Sequence, residues 1–223
     1  MFISKIRPVV FPQTEHLKLA AVIARHWGND EFAKPPVPNE SFVRGVEFHD
    51  SGYGHFDIHA VGQQTEDNLL RLWRRCTAQS LGDPIAEIIV KRHFQRLSAA
   101  HTHFPGLAIY SHQLAEEADH MCHTRELDPK IFDMTDTIVN LCDEISFAFC
   151  HEDFATYQLD VYKQQPDLKQ KITFTLMSNH SIILDPYPLD EALISGNILA
   201  YDKNDYPNVL LEEQVEYQIM RKP

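Results

Sequence analysis

Residues 138–150 read IVNLCDEISFAFC. Apolar side chains recur there at the spacing of one helix face. Asp143 falls on that face, in line with Val139, Phe147 and Cys150. Its neighbour Glu144 shares a line with Asn140 and can reach solvent. The helix opens at Asp128-Pro129, an acidic cap with proline in the first turn, and runs to about Cys150. A carboxylate on an apolar face needs a counter-charge or a metal, because a lone buried charge is costly.

Working outward, two earlier segments also place polar residues on apolar stripes. Thr14 is a candidate cap for a helix of about 14–27, in which His16 aligns with Ala20, Ile23 and Trp27. A second helix starts near Ser41 and runs to His49-Asp50, where Ser51-Gly52 stops it. His49 aligns with Phe42 and Val46, and Asp50 follows at the helix end. Two imidazoles and two carboxylates meeting inside a helical bundle are reconciled by one divalent cation. That donor set suits Mn, Fe, Zn, Ni or Co and needs no thiolate. Each residue also has a purely structural reading: His16 as a satisfied core histidine, His49-Asp50 as a helix cap, Asp143 as a partner for Arg25 or Arg44.

The remaining pattern predicts helices over about 65–78, from Asp83-Pro84 to about Ala100, and from Pro105 to about His123. Residues 33–40 hold three prolines and exclude helix. After residue 155 the period changes. Ile172, Phe174 and Leu176 alternate with polar residues, as do Ile182 and Leu184 beyond Ser178-Asn179-His180, and Val215, Tyr217 and Ile219. The expected fold is therefore mainly α: a helical bundle with a small antiparallel β element from the C-terminal tail and the N-terminal strand. One domain is expected over 1–223, with a helical body at 12–155 and a β-rich extension at 156–223 packed on it.

Composition narrows the function. A net charge of −12 is wrong for a general nucleic-acid binder, which needs a basic surface. Arg71, Arg74 and Arg75, and Lys91, Arg92 and Arg96, are two local basic clusters; both read first as solvated helix faces. None of the four cysteines forms a C-x-x-C pair, so they read as reduced core thiols. No segment suits a signal peptide, and no run approaches the ~20 apolar residues needed to span a bilayer. The expectation is a cytoplasmic protein with no membrane contact.

The order His … His-Asp … Asp, with His16 in the segment EHLKLAAVIARHW, resembles the HD superfamily of metal-dependent phosphohydrolases. The segments HWGND (26–30), HDSGYG (49–54), LCDEISFAFC (141–150) and LDPYPL (184–189) look like an uncharacterised bacterial HD-like family of unknown function. The likeness covers the chain from about residue 9 onward. It departs at Ser51-Gly52-Tyr53, where an acidic residue and a Trp are expected, and at Tyr187-Pro188-Leu189, where Trp-Pro-Phe is expected. The resemblance implies an HD-like bundle in which His16, His49, Asp50 and Asp143 bind one divalent metal. It also implies that further ligands come from the interval between doublet and late Asp. His112, in line with Ala108, Ala115 and Asp119, is the first candidate for a second metal or a phosphate contact, and His93 the next.

The leading expectation is hydrolysis of a small phosphate ester, nucleotide-like, with Asp50 taking a proton from water. Arg92, Arg96 and Tyr53 are the candidate substrate contacts, since a guanidinium matches phosphate geometry. The partner is then a small-molecule phosphate ligand. Two rivals stand beside it. A di-iron HD-type oxygenase needs about six ligands, hence His112 and another intervening histidine. A non-catalytic, metal-stabilised binding module would use the tail's exposed strand edge, which also suits a homo-oligomer.

Overall fold

The computed structural model describes residues 1–163 and 168–223. Two short strands, β1 (Phe2–Ile3) and β2 (Val9–Phe11), open the chain. Among the described residues six α-helices follow, with a short 3-10 helix at Gly54–Ile58 between the second and third: α1 (Gln13–Arg25), α2 (Asn39–Glu47), α3 (Glu66–Thr77), α4 (Pro84–Ala100), α5 (Pro105–His123) and α6 (Lys130–Cys150). Five strands complete it: β3 (Thr156–Tyr162), β4 (Lys169–Leu176), β5 (Ser181–Asp185), β6 (Leu193–Asp202) and β7 (Glu212–Arg221).

These strands form one seven-stranded sheet in the order β1-β2-β6-β7-β5-β4-β3. The sheet curls into a half-barrel, with 44% of the chain helical and 22% in strands. The expectation of a mainly α, all-helical body with a small β element is therefore wrong; this is an α/β fold. Nor is the sheet purely antiparallel. The C-terminal strand β7 inserts between β5 and β6 and runs parallel to β5, pairing Ile182 with Ile219.

The sheet was underestimated for two physical reasons. The outer strand β3 has only Val161 fully buried, so its alternation is faint. In β6 the alternation breaks at Gly196-Asn197. Gly196 pairs with Tyr217, whose ring covers it: a Cβ there would lie 2.6 Å from Tyr217 Cζ. Glycine at this point makes room for the aromatic, and a glycine inside a strand reads locally as a break.

The helices pack around two cores. In the larger, Leu19 and Ile23 of α1, Trp27 just beyond it, and Phe132, Ile138 and Phe149 of α6 meet Phe174, Ile182 and Ile219 from the sheet. In the smaller, Leu72 and Trp73 of α3, Phe94 of α4, and Leu107 and Leu114 of α5 pack together. Helix α1 lies on α6 and α2, and α4 bridges α2, α5 and α6. The inward faces of α1, α4 and α6 and the end of α2 thus converge.

Local details fix these positions. Asp83 caps α4 through Ile85 N and Ala86 N. Thr14 caps nothing: α1 starts one residue earlier, after Pro12, and the Asp57 carboxylate accepts from Gln13 N at 3.0 Å. The far end of α1 is clasped to the β5–β6 connection. Gly28 N donates to Pro188 O, Asn29 Nδ2 to Tyr187 O, and His26 Nδ1 faces Asp190 Oδ1 at 2.9 Å. Gly28 has φ +110, where a side chain is strained, and a Cβ would also meet Lys34. HWGND and LDPYPL are the two halves of that clasp.

Candidate metal centre

His16 is fully buried on α1. Its Nδ1 lies 2.9 Å from Ser146 Oγ on α6. The Ser146 hydroxyl has one hydrogen and donates it back to its own helix, toward Cys142 O and Asp143 O. Ser146 therefore accepts from His16 Nδ1–H, which leaves a lone pair on Nε2. His49 follows the end of α2, in the turn after the C-cap Phe48, and not within a helix as expected. Its Nδ1–H donates to Val46 O at 2.6 Å, which again leaves a lone pair on Nε2.

These two nitrogens face each other at 3.1 Å. Asp143 Oδ1 completes a triangle, 3.3 Å from His16 Nε2 and 3.4 Å from His49 Nε2. Three electron-rich atoms point at one another with no hydrogen assigned between them. A divalent metal ion between them, or a proton on one imidazole, reconciles that arrangement. Ligand atoms bound to a transition metal at about 2.0–2.2 Å stand about 3.0–3.5 Å apart, and the triangle's edges fit that spacing. Burial alone pushes the Asp143 carboxyl up, but the adjacent His16 and His49 imidazoles outweigh it and hold it well below the carboxylate range. Burial pulls His49 down, and the adjacent Asp143 and Asp50 carboxylates more than reverse this, so protonation of its ring is favoured.

Asp50 sits beside this triangle. Its Oδ2 accepts from Gln13 Nε2 at 2.6 Å. Its Oδ1 is buried without a hydrogen bond and faces His93 Nε2, likewise unbonded, at 3.4 Å. Burial raises the Asp50 carboxyl, but His93 and the positive field of His49 leave it lowered. His93, on α4, has its other nitrogen 3.0 Å from Arg96 Nη2. A guanidinium only donates, so His93 Nδ1 is an acceptor and Nε2 carries the hydrogen. Burial lowers the His93 pKa and keeps the ring neutral. Arg96 is itself held by Asp136 at 2.9 Å and lies 3.9 Å from Asp143 Oδ2.

The chain matches the profile of a family described as "Protein of unknown function (DUF3891)" over residues 4–201. The chain belongs to the DUF3891 family. The matched stretch includes His16, His49, Asp50, His93 and Asp143. No curated protein and no solved structure matches this DUF3891 chain.

The structure thus gathers His16, His49, Asp50, His93 and Asp143, with Arg96 behind them. It does not gather the rest. His112 is exposed on α5, because its small-residue stripe faces outward at Ala108. Arg92 is committed to Asp119 and Gln95. Tyr53 is buried and lines two cavities, of about 390 Å³ and 370 Å³, that both reach Asp50. Three participants went unread in the sequence. Gln13 precedes the first stripe and gave no periodic signal. Ser146 is a small polar residue mid-helix. Glu144, expected to reach solvent, lines the larger cavity beside Asp143. Burial raises its carboxyl pKa.

Among the described residues no helix is long and apolar enough to cross a membrane.

Proposed function

We propose that this DUF3891 chain is a metal-dependent phosphohydrolase of the HD type, acting on a small phosphate ester. The observation that carries the reading is the triangle of His16 Nε2, His49 Nε2 and Asp143 Oδ1, whose tautomers leave three lone pairs at metal-ligand spacing. These three residues, with Asp50 adjacent, would hold one divalent transition metal. Such a cation supplies Lewis acidity, lowering the pKa of water and polarising a phosphoryl oxygen.

The chain's own residues supply the rest. Gln13 fixes one oxygen of Asp50, and Oδ1, which His93 Nε2 faces at 3.4 Å, would accept a proton from the attacking water. The His93 N–H would then donate to a phosphoryl oxygen, and Arg96 keeps that hydrogen on Nε2. A second metal would fall to the adjacent group His49, Asp50 and His93, but it needs a bare Nε2 on His93, which Arg96 opposes. The reading is therefore one metal and hydrolysis. Four buried, unpaired cysteines fit a reducing cytoplasm. The acidic net charge fits a small phosphate ligand better than nucleic acid.

Release of inorganic phosphate from a panel of monoesters by the metal-loaded chain tests the proposal. Asp50→Ala should abolish turnover with the circular dichroism spectrum intact. Unchanged turnover in that variant sinks it.

A further inference from the structure

The larger cavity gives the site a substrate preference, on the reading that it hydrolyses phosphate esters. Its floor is Asp50 and Asp143, so whatever fills it abuts the metal triangle. At about 390 Å³ it is the size of a small-molecule pocket. Its walls are apolar and aromatic: Tyr53, Leu69, Trp73, Leu97, Phe104 and Phe147. They come from the loop after α2, from α3, from the ends of α4 and α5, and from α6, so the pocket is built by the fold and not by one element. Phe147 is 39% exposed although it is a phenylalanine on the face that bears Asp143.

Charge narrows the class further. Among the described lining residues there is no Lys or Arg, whereas Glu144 adds a third carboxyl to Asp50 and Asp143. Each additional phosphate on a substrate needs its own cationic or donor partners, and this pocket offers no Lys or Arg for one. Its uncharged polar groups are few: the Tyr53 hydroxyl, the Trp73 indole N–H, Gln64, His101 and His103, and of these Gln64 Nε2 is spent on Ala60 O and His101 Nδ1 on Leu97 O. A sugar with several hydroxyls would leave those hydroxyls unpaired in an apolar cavity.

We propose that the substrate is a phosphomonoester whose alcohol part is an uncharged aryl or alkyl group, held in this apolar pocket with a single phosphoryl at the Asp50–Asp143 floor. In the reaction the oxygen of water bonds to phosphorus as the bond from phosphorus to the aryl or alkyl oxygen breaks. One proton of the water goes to Asp50 and is passed on to the leaving oxygen, so the products are the alcohol and inorganic phosphate and Asp50 returns to its carboxylate.

The test uses the full chain saturated with Mn²⁺. Phenyl phosphate, glycerol 2-phosphate and adenosine 5′-triphosphate are compared by kcat/KM. The expected result is a preference of about tenfold to a hundredfold for phenyl phosphate, the worth of burying one ring. Phe104→Ala and, separately, Leu97→Ala should shrink that ratio. Equal or better use of the polar ester or the triphosphate overturns the proposal and leaves the hydrolase reading standing. Should no ester turn over, phenylphosphonate and methylphosphonate are titrated against tryptophan fluorescence. Trp73 lies in the wall, while Trp27 is fully buried elsewhere and bonded to Ala33 O. Tighter binding of the phenyl compound then upholds the pocket's preference and sinks hydrolysis; equal binding sinks the preference.

Discussion

His16 Nε2 and His49 Nε2 stand 3.1 Å apart, each with its other nitrogen already committed to an acceptor, Ser146 Oγ or Val46 O. Two lone pairs held this close inside a protein are unfavourable unless a metal ion or a proton lies between them. The charge of Asp143 makes that cation welcome. The proposed metal function rests on this pair.

Ser146 sets one of those tautomers from outside the triangle. Ser146→Ala should leave the fold intact, since the residue loses only one hydroxyl on α6. Freed from its acceptor, His16 can turn or place its hydrogen on Nε2. Metal affinity is expected to fall about 10- to 100-fold, the usual cost of losing a supporting partner. Competitive metal titration with a fluorescent chelator reads this, and an unchanged affinity would remove Ser146 from the account.

Arg96 does the same for His93 with the opposite polarity. Long-range ¹H–¹⁵N spectra of the wild type should show the hydrogen on His93 Nε2 and a bare Nδ1. In Arg96→Met the two tautomers should mix, and kcat should drop because the donor is no longer fixed. A wild-type spectrum with hydrogen on Nδ1 would contradict the assignment.

How much of this was legible beforehand differs by residue. The stripes through His16, His49 and Asp143 stood out because helix periodicity exposes a polar residue on an apolar face, and the structure does gather them. Asp50 was readable only as a neighbour of His49. The α/β architecture was not readable, because β6 is interrupted at Gly196 and β3 is half-exposed. Which strand β7 joins depends on pairing across distant segments, and no local pattern encodes it. His112 misled because its small-residue line looks the same whether it faces a cavity or solvent. Gln13 acts through Asp50, 37 positions away, and Arg96, expected as a substrate contact, instead holds His93 on its own helix.

The covered glycine gives a stability prediction. In Gly196→Val the new side chain would collide with the Tyr217 ring across the β6–β7 ladder. Overpacking of this kind costs about 1–3 kcal/mol, so the Tm should fall. Pairing that substitution with Tyr217→Ala should recover part of the loss. A neutral single variant would show that Tyr217 moves aside freely.

Acid should loosen the molecule at a second, distant point. Glu152, 1% exposed, joins α6 to the N-terminal segment through Ser4 and Arg7 and to the β4–β5 turn through His180. Burial would raise its carboxyl, but those bonds outweigh burial and bring it to about 2 from 4.5. A depressed carboxylate contributes stability above its unfolded value and loses it as pH falls through the folded one. The contribution, on the order of 3 kcal/mol at neutral pH, should therefore fade between about pH 4.5 and pH 2. Chemical denaturation of wild type and Glu152→Gln across that window checks it: the difference between them should shrink with acid, and a constant difference would refute the linkage.

The most direct test of the central claim is elemental analysis of the untagged protein, purified without chelators, beside His49→Ala and Asp143→Ala. The account predicts about one transition metal per chain in the wild type and loss of it in both variants, with each variant still folded. A wild type that is folded, empty and cannot be loaded would contradict it, and would leave these residues as a polar network inside the core.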